Sequence, residues 1–393
     1  MSRKVSRRDF LGYAAAGFVA APFVSRFARG ASATPKFEVL EIKTFSFPND
    51  RYYGWPTVAK RGSELLVVTS GSREEHVCPF GRVEMFRSKD SGATWTFPQV
   101  LYDSPIDDRD AGICVTDKGT ILVTSFTSNA YVTPYNDEVA RRAEGKGAWS
   151  DERFRNWDMA HKRVSDEERQ KELGRWMFRS TDGGITWSER YSTPFNSPHG
   201  PIQLSDGSQL YCGKELWIEG ERVGAALSTD DGLTWDVVGY VPTDDGYSGA
   251  LYDELHAVEA SDGRIVAQIR NENPNNYNEN LQTISKDGGR TWSVPRRIGV
   301  WGVPSFLTRL ADGRLLMTYG HRRDPLGVQT RVSDDAGDTW SEALVIYGGG
   351  ETWDLGYPST VQLDDGSLLT VWYEVLPQEG PLSKLRSCRW TIS

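Results

Sequence analysis

Residues 88–95 read SKDSGATW, and this stretch decides the fold because the chain repeats its pattern four more times. The shared pattern is Ser-x-Asp-x-Gly-x-Thr-Trp, and the further copies occupy residues 180–187, 228–235, 285–292 and 333–340. Self-similarity at a regular spacing is typical of a repeat architecture. In each copy we expect a hairpin turn in which the Asp bonds the turn's own amides, the Gly takes a positive φ and the Trp anchors the hairpin. A calcium or carbohydrate site at each Asp is the alternative, although turn chemistry already accounts for these residues.

A second repeat alternates with the first and supplies the other strands of each unit. It consists of a strand, a Gly-containing turn and an apolar strand such as Leu65–Val68. The six turns of this kind lie at Arg61-Gly62, Lys118-Gly119, Asp206-Gly207, Asp262-Gly263, Asp312-Gly313 and Asp365-Gly366. Together the two repeats give units of four antiparallel strands, A to D. Six such units predict an all-β, six-bladed β-propeller.

The ends and the spacing of the repeats refine this prediction. The sixth unit lacks an Asp-containing turn, so we expect a strand near Phe37–Phe47 to complete it and to close the ring, which removes exposed sheet edges. Successive Gly turns are 57, 88, 56, 50 and 53 residues apart. The excess predicts an insertion at about 131–175, in the B–C loop of the second blade, with helical spacing at 138–144 and 166–173. A lid, a contact with another subunit and a solvated decoration are all open as its role.

The first 33 residues have the features of a targeting segment. Arg7-Arg8 followed by Phe10-Leu11 fits a twin-arginine export signal, and Ala31-Ser32-Ala33 fits a cleavage site. An ordinary signal or a membrane anchor is the alternative, but the apolar stretch is shorter than the about 20 residues that span a bilayer. We therefore expect a propeller over 34–393 that a bacterium exports to the periplasm or the medium, without stable membrane insertion.

The net charge and the cysteine pattern limit the classes of partner and cofactor that we expect. The net charge is −9, and removing the six basic residues and one acidic residue of 1–33 leaves about −14. This sign argues against nucleic acid and anionic membrane surfaces as partners. No cluster has metal-ligand spacing, so we expect neither a metal nor an organic cofactor. Cys78, Cys114, Cys212 and Cys388 lack CxxC spacing, and buried free thiols are favoured over disulfides.

Strand direction sorts the connections onto two faces. Because strands alternate in direction, the short A–B and C–D turns share one face, whereas the longer D–A and B–C loops share the other. The longer loops hold four of the five histidines, which are His76, His199, His256 and His321. A cup of carboxylate, His, Arg and Trp side chains on this face fits a sugar site, since Trp stacks on sugar rings and charged groups bind hydroxyls or carboxylates.

Residues 37–393 resemble the bacterial sialidase family in their repeat architecture. The specific mark of the resemblance is the set of five Ser-x-Asp-x-Gly-x-Thr-Trp segments, which are called Asp boxes. Asp boxes mark that fold and not an activity, because one fold hosts many functions. The resemblance implies an exo-acting glycoside hydrolase whose nucleophile is a Tyr, an exception to the usual pair of carboxylates. It also implies a carbohydrate substrate with a terminal, anionic sugar.

Three catalytic residues follow from the resemblance, and each lies nine residues before the Gly of an A–B turn. Tyr357 matches the nucleophile of the family. Glu254 matches the base that activates it. Asp110 matches the general acid, with Asp107 and Asp108 as near competitors.

The arginines that hold the substrate carboxylate in the family are matched only in part. Arg270 matches the second, and Arg322 or Arg323 matches the third. Where the family has Arg-Ile-Pro, this chain has Gly54-Trp55-Pro56, so the first arginine is absent and Arg51 or Arg73 is the nearest substitute. The further residues expected to bind substrate are Trp55, Arg73, His76, Asp107, Asp108, Arg109, His199, His256 and His321.

Two other functions remain open from the sequence. One is a glycosidase or lyase that acts on a non-sialic sugar with His and carboxylate groups. The other is a non-catalytic glycan-binding propeller, with Trp55, Trp217, Trp301 and Trp353 as stacking platforms. The intact Tyr357–Glu254 pair argues against the binding module. The sequence leaves the sugar, the linkage and the oligomeric state open.

Overall fold

The computed structural model describes residues 36–48, 50–218, 220–244, 246–379 and 382–393. Over these ranges, 24 strands form six four-stranded antiparallel sheets, which confirms the predicted six-bladed propeller. The predicted export signal, residues 1–33, lies outside the described residues. None of the helices in the described ranges is both long and apolar enough to cross a membrane.

The first half of the chain contributes the N-terminal strand and three blades. The N-terminal strand is β1 (Phe37–Thr44). Blade 1 contains β2 (Tyr52–Arg61), β3 (Glu64–Arg73), β4 (Arg82–Ser88) and β5 (Gln99–Tyr102). Blade 2 contains β6 (Asp107–Val115), β7 (Ile121–Ser128), β8 (Arg175–Ser180) and β9 (Tyr191–Ser192). Blade 3 contains β10 (Ile202–Gln203), β11 (Gln209–Lys214), β12 (Val223–Ser228) and β13 (Asp236–Tyr240).

The second half contributes the other three blades. Blade 4 contains β14 (Tyr252–Glu259), β15 (Ile265–Asn271), β16 (Glu279–Ser285) and β17 (Arg296–Trp301). Blade 5 contains β18 (Ser305–Arg309), β19 (Leu315–His321), β20 (Gly327–Ser333) and β21 (Leu344–Tyr347). Blade 6 contains β22 (Leu355–Gln362), β23 (Leu368–Val375) and β24 (Ser383–Ile392), and β1 completes it. Short 3₁₀ helices lie at Gly249–Leu251, Pro274–Asn276 and Pro377–Glu379.

The ring closes as predicted, by pairing the first strand with the last. β1 runs antiparallel to β24, from Phe37 opposite Ile392 to Thr44 opposite Arg386. The A strands of neighbouring blades contact one another, except that blade 4 meets blade 3 through β11 and β12, so the A strands surround the axis. Gly112 of β6 allows the closest approach there, because a Cβ at this position would lie 2.2 Å from the backbone nitrogen of Gly200.

The core is divided among the blade interfaces. In β3, Leu65 and Val67 pack in a cluster with blade 6, whereas Leu66 and Val68 pack in a cluster with blade 2. Successive side chains of a strand point to opposite faces of its sheet. The continuous apolar run Leu65–Val68 therefore follows from a sheet that is covered on both faces.

The Asp boxes form the turns that the sequence predicted. In the first box, Asp90 Oδ1 accepts a hydrogen bond from the Thr94 amide at 2.9 Å, and Asp90 Oδ2 accepts one from Thr94 Oγ1 at 2.6 Å. Ser88 Oγ accepts a hydrogen bond from the amide of Gly92, whose φ is 85°. The same bonds recur in the boxes at 180–187, 228–235, 285–292 and 333–340. Turn chemistry thus occupies these carboxylates.

Three helices lie between β7 and β8, in the B–C loop of blade 2. They are α1 (Val132–Ala143), α2 (Asp151–Lys162) and α3 (Asp166–Glu172). The spacing of residues in the sequence predicted helices near α1 and α3 but not α2, whose N-cap is Ser150, with Asp151 in its first turn. Trp157 of α2 is fully buried and packs in one cluster with Cys78 and Ile106. The helices therefore support the loops of blades 1 and 2.

Candidate functional site

Four A strands contain, at their third or fourth residue, a residue in the left-handed region. The φ angles are 55° at Trp55, 47° at Asp110, 35° at Glu254 and 51° at Tyr357. At each of these positions the pairing with strand B shifts register. Such bulges re-aim side chains, and a non-Gly residue at positive φ costs on the order of 1–3 kcal/mol that the surrounding structure must offset. Equivalent strained positions in blades 1, 2, 4 and 6 thus direct four side chains towards one cavity.

This cavity, which we call the cup, has a volume of about 320 Å³. All four of these side chains line it, as do Arg109 and Arg270, which the sequence also predicted. His76 lines it from the B–C loop of blade 1.

A hydrogen-bonded triangle joins three of the predicted residues. Tyr357 Oη donates to Glu254 Oε1 at 2.5 Å. Arg270 Nη1 donates to Glu254 Oε2 at 2.8 Å and to Tyr357 Oη at 3.0 Å. The structure therefore brings a phenol, a carboxylate able to take its proton, and a guanidinium able to stabilise the resulting charges within contact of one another.

The environment keeps the Tyr357 proton in place in the resting protein. Burial raises the pKa of Tyr357 well above its usual value, and the negative charge of Glu254 raises it further, whereas Arg270 opposes the shift. Tyr357 is therefore protonated in the resting protein and is bound to a carboxylate that is able to accept its proton. Its ring lies 6.3 Å from that of Trp55, which walls the cup on one side.

Asp110 has the properties of a proton donor. Its side chain is buried, and its Oδ1 has no hydrogen-bond partner. Burial raises the pKa of Asp110 to about 7, with the charge of Glu254 adding to the shift and that of Arg109 opposing it. A carboxyl group that keeps its proton near neutrality and faces a cavity is suited to general-acid catalysis.

Arg73 and Asp107, both predicted to bind substrate, lie outside the cup. They form a fully buried bidentate pair, with Nη1 to Oδ1 at 2.6 Å and Nη2 to Oδ2 at 2.9 Å. Arg73 also donates to Ser70 Oγ and to the carbonyl of His76, so its donors are committed within the protein. The placement corrects the expectation, because this pair anchors the loop that carries His76 and cannot receive a ligand.

Asp108 is likewise internal. Its Oδ2 accepts a hydrogen bond from the Ser104 amide at 2.7 Å, and burial raises the pKa of Asp108 to about 8. Neither Asp107 nor Asp108 is therefore placed to compete with Asp110 for the role of acid.

Two of the predicted histidines are also structural. His199 and His256 are buried, and their rings pack against Phe306, with His256 stacked on it at 4.1 Å. His256 Nδ1 accepts a hydrogen bond from the Leu307 amide. Burial lowers the pKa of His199 to about 3 and that of His256 well below its usual value, so both rings are neutral. Sequence alone placed them in the cup because their loops belong to the correct face.

His76 is held by a network that the sequence analysis did not anticipate. Its Nδ1 lies 3.0 Å from Asp354 Oδ1, and the hydroxyls of Tyr52 and Tyr373 donate to the same carboxylate at 3.0 Å. Burial pushes the pKa of Asp354 upwards, but these hydrogen bonds outweigh it and the pKa lies below its usual value. An ionised Asp354 therefore fixes the orientation of His76 at the cup.

The remaining predicted residues lie at the margin. Arg322 Nε donates to the carbonyl of Leu355, and its guanidinium lies 5.9 Å from the centre of the Tyr357 ring. Arg323 stacks on Trp301 instead, at 4.5 Å. His321 Nδ1 lies 2.9 Å from the carbonyl oxygen of Pro325. Of these three, Arg322 alone approaches Tyr357.

Sequence reasoning missed several residues that line the cup. They are Phe126, Asn196, Pro198, Leu216, Asp253 and Glu272, whereas Trp217, which also lines the cup, was expected from the sequence as a stacking platform. Asp253 is next to Glu254, and Glu272 lies two residues after Arg270, so proximity to the assigned residues was the available signal. Glu272 Oε1 binds Arg270 Nη2 at 2.7 Å.

The described residues contain no group of three His, Cys, Asp or Glu side chains arranged to hold a metal ion. All four cysteines are free and buried, as the sequence favoured.

Comparison with known proteins identifies the family of the chain. A family model described as a BNR repeat-like domain matches residues 162–370, just over half of the chain. A curated sialidase of Bacteroides fragilis is 25% identical over 329 residues, which cover 77% of this chain and 54% of that protein. The chain spans between 31% and 65% of the length of the curated sialidases that it matches.

Solved structures show the same fold. A crystal structure of a protein of unknown function from Dyadobacter fermentans has a TM-score of 0.73 at 23% identity, covering 91% of this chain and 99% of that one. A Hadza microbial sialidase has a TM-score of 0.62 at 17% identity, covering 87% of this chain and 65% of that one.

Proposed function

The chain belongs to the BNR repeat-like family within the sialidase propeller superfamily, and from this premise we propose that it is an exo-acting glycoside hydrolase of the sialidase type. The observation that carries the proposal is the contact of 2.5 Å between Tyr357 Oη and Glu254 Oε1, next to Arg270. A tyrosine bound to a buried carboxylate at a strained backbone position is the arrangement of an activated nucleophile. We further propose that the protein is exported, on the basis of its first 33 residues.

The mechanism has two steps, and in each step a residue of the cup holds the proton that is transferred. Tyr357 Oη attacks the anomeric carbon while Glu254 takes its proton, and Asp110 protonates the departing glycosidic oxygen. Water then attacks the glycosyl–tyrosine bond, with Asp110 now accepting a proton from that water. Glu254 returns its proton to Tyr357 as the phenolate leaves. Two displacements at the same carbon give net retention of configuration.

The histidine-based chemistry that the sequence left open is less favoured, because His199 and His256 are buried beneath the cup and, of the four histidines expected there, His76 alone lines it. A glycan-binding module without activity remains the outcome against which the test is designed. Trp217 at the cup, with 46% of its surface exposed, is able to serve either a hydrolase or a binding protein as a stacking platform.

The test is hydrolysis of a panel of nitrophenyl glycosides by the wild-type protein and by Tyr357→Phe. We expect turnover by the wild type and a loss of roughly 10³-fold or more in kcat in the variant, which lacks the nucleophile. Tyr319→Phe is the matched control, since it removes one buried tyrosine hydroxyl from β19, which binds Gln329. Equal activity of Tyr357→Phe and the wild type would exclude the mechanism. Binding without turnover on any glycoside would favour the glycan-binding module.

A further inference from the structure

Both arginines that line the cup are paired with carboxylates of the protein. Four carboxyl groups face the cup, from Asp110, Asp253, Glu254 and Glu272, together with the guanidinium groups of Arg109 and Arg270. A site built for an anion presents cationic donors that are free to receive it. In this cup each guanidinium already has a carboxylate of the protein beside it.

Arg270 is the clearest case. Its Nη1 is bound to Glu254 and Tyr357, and its Nη2 is bound to Glu272 Oε1 at 2.7 Å. The Arg270 side chain is only 17% exposed. A substrate carboxylate would have to displace Glu272 from Arg270. The Glu272 carboxylate would then lie unpaired beside the carboxylate of the substrate.

The other arginines near the cup do not supply free donors for an anion either. Arg109 Nη1 donates to the carbonyl of His76 and to Asp107 Oδ2, and its guanidinium lies over the Trp55 ring at 4.3 Å. Blade 1 contributes Trp55 and His76 to the lining, and no arginine. Arg322 is not part of the cavity lining. Since Arg109 and Arg270 are already paired with carboxylates and Arg322 lies outside the lining, these three arginines form no ready clamp for a carboxylate.

The carboxylates of the cup also lie beside cations of the protein. Asp253 Oδ2 lies 3.5 Å from Nζ of Lys214, which is almost wholly buried behind it and also binds Glu221 Oε2 at 3.3 Å. Glu254 and Glu272 share Arg270. The side chains of Asp253 and Glu272 are each 31% exposed, which leaves carboxylate oxygen towards the cavity as a hydrogen-bond acceptor for hydroxyl groups. Trp217, near Phe126, offers an aromatic face for a sugar ring.

We propose that the cup selects an uncharged pyranoside, whose hydroxyls donate to Asp253 and Glu272, and that Glu272 excludes anionic sugars by occupying Arg270. This inference rests on the proposed function for the reaction, but it concerns binding and is tested separately from turnover. Glu272 is the specificity-determining residue, and its effect on anions passes through Arg270.

The experiment measures binding by titration calorimetry to Tyr357→Phe, which keeps the cup but lacks the nucleophile. The probes are nitrophenyl glycosides of galactose, glucose, mannose, fucose and rhamnose, compared with those of glucuronic acid, N-acetylneuraminic acid and glucosamine. We expect at least one neutral glycoside to bind at least 10-fold more tightly than every charged one. The same panel, used for hydrolysis by the wild type, tests the proposed function independently.

A second variant tests the role of Glu272. Added to Tyr357→Phe, Glu272→Gln keeps the shape of the side chain but removes the charge that holds Arg270. We expect binding of the neutral glycoside to weaken about 3- to 10-fold and binding of the anionic glycosides to improve at least 10-fold. Glu259→Gln is the matched control, since its carboxylate binds Ser205 on the opposite face. Thermal unfolding confirms that each variant is folded.

The outcomes separate the two proposals. Tightest binding by an anionic or amino sugar, no binding by any neutral glycoside of the panel, or an unchanged ratio in Glu272→Gln overturns the inference. Binding of a neutral glycoside without hydrolysis by the wild type overturns the proposed function and leaves the inference standing. Hydrolysis of an anionic glycoside in preference to neutral ones overturns the inference and leaves the proposed function standing.

Discussion

At the residue scale, the chemistry of the cup depends on backbone strain. Asp110, Glu254 and Tyr357 all take left-handed φ angles at the same register of their blades. An L-residue in this region is held there only when its surroundings over-determine it, and such residues concentrate at functional sites. The shared strain gives a physical reason why three chemically different side chains converge.

The raised pKa of Asp110 predicts how kcat depends on pH. Its pKa is raised from the usual value for Asp to about 7, so the carboxyl group holds its proton below that pH and loses it above. An acid is functional only while protonated, so we expect kcat of the wild type to fall as the pH rises through about 7. In Asp110→Asn this decline should be absent. A kcat–pH profile of both proteins makes the comparison.

The loss of activity in Asp110→Asn should depend on the leaving group of the substrate. We expect Asp110→Asn to lose 10²- to 10⁴-fold in kcat on an alkyl glycoside, which needs protonation, and far less on a nitrophenyl glycoside, which does not. Asp117→Asn, at the turn on the opposite face of the same blade, is the control. An equal loss on both substrates would show that Asp110 supports the structure and does not donate the proton.

At the element scale, the Asp boxes fix the hairpins by local hydrogen bonds. Asp335 accepts bonds from the amide and the hydroxyl of Thr339 and from the hydroxyl of Ser333. Since the whole set lies within seven residues, the turn can form without help from the rest of the ring. This explains why the pattern is legible in the sequence.

Removal of one such carboxylate should therefore destabilise the protein without affecting the cup. For Asp335→Ala we expect a loss of about 1–2 kcal/mol in the free energy of unfolding, because the Thr339 amide loses its partner at a partly exposed site. Asp334→Ala removes the exposed neighbouring carboxylate and should change little. Denaturant unfolding of the two variants gives the difference, and equal effects would contradict the assignment.

The helices of the insertion act as a support at this scale. Arg163 donates to the backbone carbonyls of Pro105 and Ser104, and Trp157 donates to Glu74. These contacts hold the loops that precede Asp107 and contain His76. No residue of α1, α2 or α3 lines the cup, so the arrangement supports a buttress and not a lid.

At the scale of the whole molecule, the ring depends on one strand that is distant in sequence from its blade. β1 pairs with β24 along seven residue pairs, and the Phe37 ring packs on Trp390 at 5.5 Å. Without β1, the backbone groups of β24 would form an unpaired edge beside the gap.

A truncation tests this closure. We expect a chain that begins at residue 46 to unfold roughly 10 °C or more below a chain that begins at residue 36, because it lacks all of β1 and its pairing. Thermal unfolding at matched protein concentrations makes the comparison. Similar midpoints for the two chains would mean that β1 contributes little to the stability of the ring.

The sequence alone determined the blade count, the closing strand and the face that bears the chemistry. Each follows from local patterns, namely the Asp boxes, the Gly turns and the alternation of strand direction. The same reasoning placed Tyr357, Glu254 and Asp110 through their common distance from a Gly turn. These features were legible because hydrogen bonds within a few residues and strand periodicity do not depend on distant contacts.

Only the tertiary structure decided which residues on that face reach the cup. Arg73 and Asp107 bury each other's charge, His199 and His256 pack beneath the site, and Glu272 occupies Arg270. Partner choice of this kind depends on which blades meet at the axis, and burial of a charge is settled by neighbours that are remote in sequence. A position in a loop fixes the face on which a side chain lies, but packing and charge pairing decide whether it remains free to act.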